Sequence, residues 1–212
     1  MTDLNDKYEI TGIHHERYPF LRRIRALRDI GGEVKAGALG GFVEHEGNLS
    51  FEKGDDAWIF GDAIACGDAY VDMGSQLWNE AVACGKAYVS RGAMLTDRSR
   101  AEDDAYLRGA VLKEGARVSG TGMVLESPDD RLVPVLSGQC AVYGTVQGNV
   151  RLEGSTVVIS GEEIRNNSAD QLIIRDGVRS ICRSAARDRL TPRGERPGPA
   201  PASPKKKKEA VR

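Results

Sequence analysis

The sequence predicts an all-β left-handed parallel β-helix, a solenoid of short strands with 18 residues per coil. Three observations carry this expectation. From Ala57 the chain reads in units of six: AWIFGD, AIACGD, AYVDMG, SQLWNE, AVACGK, AYVSRG, AMLTDR and SRAEDD, then AYLRG one residue short, AVLKEG and ARVSGT. The first position of each unit is Ala or Ser, and the third is aliphatic or Ala, as in Ile59, Val71, Leu77, Val89 and Leu95. Distinctive residues also recur at a spacing of 18: Tyr70, Tyr88 and Tyr106, and Cys66 with Cys84.

A six-residue unit is a short strand followed by a turn. Side chains alternate along a strand, so the aliphatic residue points inward and its two neighbours point outward. The Ala or Ser fits a tight inner corner, and the Gly and Asp positions accept the turn backbone. Three units close a triangular coil, and coils stack at ~4.8 Å. The Tyr and Cys pairs should therefore form ladders. Asp68, Lys86 and Asp104 should form a corner column of alternating charge.

Ile59/Ala63, Val71/Ser75, Leu77/Ala81, Val89/Ala93 and Leu95/Ser99 each place an aliphatic residue four positions before a small one. Over about 48–160 this resembles the hexapeptide-repeat superfamily. Arg23-Ile24-Arg25-Ala26-Leu27-Arg28-Asp29, Val34-Lys35-Ala36-Gly37, Gly40-Gly41-Phe42-Val43-Glu44 and Asn48-Leu49-Ser50 resemble its YdcK-like, prophage-encoded group over about 20–60. The resemblance implies the β-helix and subunits that are commonly trimers. It also implies acyltransfer by a histidine base at a subunit cleft, or zinc held by three coil histidines in γ-class carbonic anhydrases. The coils lack the residues for either chemistry. His14, His15 and His45 all precede the regular repeat.

Residues 1–47 are expected to cap the first coil, with Tyr8–Ile13 and Tyr18–Ile30 paired as a hairpin, although Leu21, Ile24, Leu27 and Arg28 also fit a helical period. An end coil exposes unpaired backbone and core, so a solenoid needs such a cap. The helix should span 48–160, with an excursion at 126–137, where Glu126-Ser127-Pro128-Asp129-Asp130 and Leu132-Val133-Pro134-Val135-Leu136 depart from the repeat. Residues 161–190 should cap the other end. There Leu172-Ile173-Ile174 reads as a strand, and Asp176 as the N-cap of a short helix carrying Val178, Ile181, Cys182, Ala185 and Ala186 on one face. From residue 191 the chain is Pro, Gly, Arg and Lys, a composition too poor in apolar residues to order itself.

Composition excludes some function classes. There is no run of 18 apolar residues to span a membrane. The polar start Met1–Asp6 is unlike a secretory leader, and the four cysteines show no CxxC pair, so free thiols in a cytoplasm are expected. The net charge of −1 conceals a division: residues 187–212 hold nine Lys/Arg against three Asp/Glu. Lys205, Lys206, Lys207 and Lys208 suit at most a weak, salt-sensitive nucleic-acid contact. No metal or cofactor is expected.

The expected function is non-catalytic: a binding or scaffold β-helix of phage or prophage type, self-associating or capturing a protein partner by its flat faces. Trp58, Phe60, Trp78 and Met94 fall at outward positions of one face, and Ile64 and Val82 on the next. Such an apolar patch suggests a homo-oligomeric contact, a trimer or dimer, unless the N-terminal segment or the excursion folds over it. Two alternatives stand beside this reading. One is an acyl-CoA-dependent acyltransferase with His14 or His15 as base. The other is an acidic decoy for a nucleic-acid-binding protein, which requires acids such as Asp55, Asp56, Glu102, Asp103 and Asp104 to gather on one face. Cys66 and Cys84, one coil step apart, lie within the ~4.4–6.8 Å Cα range of a disulfide.

Overall fold

In the computed structural model, which describes residues 4–184, the six-residue units become short strands stacked into three parallel sheets. The chain is a left-handed parallel β-helix of about seven coils with ~18 residues per coil. Each outward backbone N–H bonds the coil above: Trp58 donates to Ser75 (3.0 Å), Gln76 to Ala93 (2.9 Å) and Met94 to Ala110 (2.8 Å). Inward columns are aliphatic and fully buried. Ile59, Leu77, Leu95 and Leu112 stack on the first face, Ala65, Ala83 and Ala101 on the second, and Val71, Val89 and Leu107 on the third. Each buried Leu contributes ~2–3 kcal/mol relative to leaving it in water.

The three corners behave differently. The corner from first to second face always spans six residues, from Trp58/Ile64 through Arg151/Val157. Length varies mainly at the corner from third to first face. Its usual turn carries two positive-φ residues, as at Met73–Gly74 and Arg91–Gly92, but Gly109 alone turns the next coil. This absorbs the missing residue of AYLRG, and Met94 accordingly pairs with Val111. In the following coil the same corner holds the excursion. It is shorter than 126–137: Glu126 still bonds the Arg108 carbonyl (2.8 Å), and Val135–Leu136 already form a rung. Pro134 is buried at the corner and accepts from Val111 N–H, so this proline continues the repeat rather than breaking it.

The solenoid extends beyond 48–160 at both ends. Strand β3 (Leu39–Val43) is the first rung of the second face, pairing in parallel with Ile64–Ala65. Glu163–Asn166 and Gln171–Arg175 are the last rungs of the third and first faces. At the N-terminus β1 (Tyr8–His14) and β2 (Arg22–Ala26) form the expected hairpin and continue the sheet antiparallel beyond β3. Tyr8, Ile24, Ile30 and Val34 close the core, and the Tyr8 hydroxyl donates to the carbonyls of Glu46 (2.8 Å) and Leu49 (2.9 Å).

The expected helix at Asp176 does not form. Asp176 (φ 50°) and Gly177 (φ 82°) make the turn of a hairpin between Gln171–Arg175 and Val178–Cys182. An Asp-Gly pair supplies the two positive φ values that a two-residue hairpin turn demands. The edge of Val150–Glu153 also templates Leu172–Arg175 as strand. These outweigh the helical spacing of Val178 and Ile181, which are exposed. Ala185, Ala186, the 191–212 tail and Lys205–Lys208 lie outside the described residues.

Lys7 is buried beneath the cap, its ammonium donating to the Ser50 carbonyl (2.7 Å). Burial pushes its pKa down to about 8, against the attraction of Asp55. Below that pH the folded chain holds a desolvated charge, which opposes folding. Between about 8 and 10.5 the unfolded chain binds more protons, so this opposition fades and stability rises with pH. Lys7→Met should therefore stabilise the protein at pH 7 by ~1–3 kcal/mol, and its advantage over wild type should shrink by pH 10 in thermal melts.

A second test addresses the corner from second to third face. It shortens between Ala141 and Thr145, and a Cβ on Gly144 would lie 2.3 Å from the Glu162 carbonyl and 2.4 Å from that of Ile159. Gly144→Ala should cost ~1–3 kcal/mol by overpacking backbone against backbone. Gly12→Ala, where a Cβ meets nothing within 4 Å, should melt like wild type.

Candidate functional site

The tip of the β1–β2 hairpin folds back over the second face. His15 N–H bonds the Leu21 carbonyl (3.0 Å), and Leu21 packs on Phe42 and Ile64. Between tip and sheet lies a groove of about 550 Å³, lined by His14, His15, Tyr18, Arg23, Phe42, Asp62, Glu80 and Arg100 among others.

The two histidines do different work. His15 Nδ1 accepts from the backbone N–H of Arg17 (3.1 Å) and Tyr18 (3.3 Å). Its ring stacks on Tyr18 (5.2 Å between centroids) and meets the Phe42 ring edge-on (4.8 Å). With Nδ1 accepting, the neutral ring carries its proton on Nε2 and has no second lone pair to offer as a base. His15 thus builds the loop. His14 has the other tautomer. Its Nδ1 lies 2.5 Å from the Pro19 carbonyl, which can only accept, so Nε2 is the free, basic nitrogen. His45 caps the turn at Glu46–Asn48, accepting Gly47 N–H (3.1 Å).

Two arginines of the groove are paired with acids. Arg23 donates to the carbonyls of Gly40 and Gly61 (3.1 Å each) and to Asp62 (2.6 Å), and its guanidinium lies 4.3 Å over Phe42. Arg100 Nε bonds Glu102 (2.5 Å). Arg23, Phe42 and Arg100 were not singled out from sequence. Arg100 was within reach, because it follows Ile64 and Val82 at the 18-residue spacing and is the first charge in an apolar outward column.

Beyond the groove the outward columns follow the expected register, with one correction. Trp58 is not on an outer surface. As first rung of its face it has no coil before it, and its indole lies under the cap, edge-on to Tyr8 (6.3 Å, 76°) and against Gly40. The N-terminal segment covers Ile64 in the same way, through Leu21 and Phe42. Val82 packs at the rim of that cluster. Phe60 and Trp78 remain half-buried on the outer face and stack in parallel, 3.7 Å apart and 7° from coplanar, while Met94 lies in the neighbouring outward column, after Gln76.

The Tyr70, Tyr88 and Tyr106 rings stack at 5.9 and 5.5 Å on the third face, and Tyr88 donates to Asp72 (2.7 Å). Cys66 and Cys84 are free thiols on neighbouring rungs. Each thiol acts on the other: the neighbouring Cys66 holds the Cys84 pKa down to about 7, and Cys84 pushes that of Cys66 up. The acids do not gather on one face. Asp55 binds the N–H groups of Met73 (2.9 Å) and Gly74 (2.8 Å), Asp97 that of Glu114 (3.0 Å), and Asp103 that of Gly120 (2.9 Å), at three different corners. Their charge is directed at the backbone of the next coil. Lys86 forms no ion pair among the described residues, so the expected alternating column is simply solvated.

No protein-family model matches the chain, and no curated protein matches it. Among the described residues, no helix is long and apolar enough to cross a membrane.

If His15 is a loop-building residue, His15→Ala should release the Arg17 and Tyr18 amides to rapid hydrogen exchange and lower stability by ~1 kcal/mol. His14→Ala, which breaks only the contact to Pro19, should leave those amides protected.

Proposed function

We propose that this chain is a non-catalytic binding or scaffold protein of the prophage-encoded type, acting by self-association of copies through its first face. One observation carries the reading. The stacked Phe60–Trp78 pair lies on the same face as a second outward column, in which Gln76 is followed by half-buried Met94, Val111 and Val135, so the face carries a broken apolar patch on a rigid sheet. Soluble proteins rarely leave such patches in water unless a partner covers them, and aromatics with Met are enriched at interfaces. The Trp78 indole N–H is already satisfied by Gln76 (3.0 Å), so covering the ring strands no donor. Asp55, Asp97 and Asp103 lie at three different edges and bind backbone, which favours the scaffold reading over the decoy.

Light scattering at micromolar concentration tests this. The wild type should run as a dimer or trimer, and Trp78→Glu as a monomer with an unchanged circular-dichroism spectrum. Trp58 is unsuitable for this test because it belongs to the core. A monomeric wild type, or a Trp78→Glu protein that keeps its oligomeric mass, would overturn the proposal.

A second reading, acyl transfer, is favoured by His14 alone, because it lines the groove and its contact to the Pro19 carbonyl uses Nδ1 and not Nε2. It requires acyl-CoA turnover that His14→Ala abolishes and His15→Gln spares. The scaffold reading expects no turnover from the wild type.

A further inference from the structure

The strand pairing places two cysteines side by side at the surface. Ile64 pairs with Val82 and Ala65 with Ala83, and the next residues, Cys66 and Cys84, continue that register with their N–H groups bonded to Ala83 (3.0 Å) and Ala101 (2.9 Å). In-register neighbours on parallel strands lie one coil step apart, ~4.8 Å, within the Cα range that a disulfide spans. Both are outward positions, and both side chains are partly exposed. The other two cysteines differ: Cys140 is buried with its thiol donating to the Ser137 carbonyl (2.9 Å), and Cys182 is exposed on the last strand.

We infer that Cys66 and Cys84 form a dithiol modification site that exchanges with small-molecule disulfides such as oxidised glutathione, closing to a reversible bridge between neighbouring coils. Cys84 is the attacking sulfur, since the neighbouring Cys66 thiol favours its thiolate, with Arg100 aiding and burial, Glu102 and Asp103 opposing. In the first step the Cys84 thiolate attacks the glutathione disulfide. An S–S bond to glutathione forms, the original S–S bond breaks, and one glutathione leaves as thiolate. In the second step Cys66 gives up its proton and attacks the Cys84 sulfur, expelling the second glutathione. The protein dithiol is oxidised by two electrons, the glutathione disulfide is reduced to two thiols, and the two protein thiol protons end on the products. The bridge joins coils already in register, so the solenoid need not rearrange. The site is independent of the self-association surface, which lies on the first face.

The test equilibrates the folded chain with glutathione redox buffers, quenches with an alkylating reagent and reads intact mass and peptide maps. Wild type should lose two of its four alkylatable thiols in a monomer with residues 66 and 84 linked, and reduced glutathione should restore them. Cys66→Ser should stop at a stable mixed disulfide on Cys84. Cys84→Ser should react several-fold more slowly, and the first step in wild type should accelerate through a midpoint near pH 7. Because both variants are isosteric, circular dichroism should report the same fold. Full alkylation of Cys66 and Cys84 under oxidising buffer would overturn the inference. So would a wild type that stops at mixed disulfides, or a bridge that maps to Cys182.

Discussion

The structure depends on the main-chain ladder between successive coils. Each outward N–H reaches the carbonyl of the neighbouring coil at 2.6–3.3 Å, and the two- and three-residue strands of the coils are too short to hold their place alone. Parallel pairing in register forces like positions into columns. The columns then decide which residues are tolerated. Inward positions must be apolar and of matched size, while outward ones meet a copy of their own position above and below. Stacked tyrosines satisfy that demand by ring packing. Acids such as Asp55, Asp97 and Asp103 satisfy it by pointing along the axis to cap the next corner.

A ladder has two ends, and both are closed by chain reversal. The antiparallel β1–β2 pair extends the second sheet at the N-terminus, and the Asp176–Gly177 hairpin extends the first at the other end. Closure at the N-terminus reaches further than edge protection. It buries Lys7, takes Trp58 into the core and, by folding its tip back over the second face, builds the groove that holds both histidines. The most featured surface of the molecule is thus a by-product of capping.

Much of the fold was legible because the repeat is local. Once Ile59, Leu77 and Leu95 are in one column, the positions of Phe60, Trp78, Cys66, Cys84 and the tyrosines follow from counting. What failed was information that no column contains. Trp58 occupies an outward position by count, but the first rung lacks a neighbour, so its side chain is free to fold over the end. The C-terminal segment has helical spacing, yet its Asp-Gly turn and an open sheet edge favour strand. The groove depends on residues 13–18 meeting residues 42, 62, 80 and 100 across space, and only Arg100 leaves a trace in the period. The tautomers of His14 and His15 are set by backbone partners that no side-chain pattern reveals.

The uneven corners have a consequence for how such a chain can change. The corner from first to second face never departs from its length, while the corner from third to first face has lost a residue at Gly109 and gained a loop after Glu126. On both sides of that loop the rungs resume register, Val111 on Val135 and Leu112 on Leu136, as though nothing had been inserted. This edge is therefore a natural display position. A peptide grafted between Ser127 and Val133 would project from a rigid prism with its two anchors held by the ladder, and variation there is insulated from both the core and the cap.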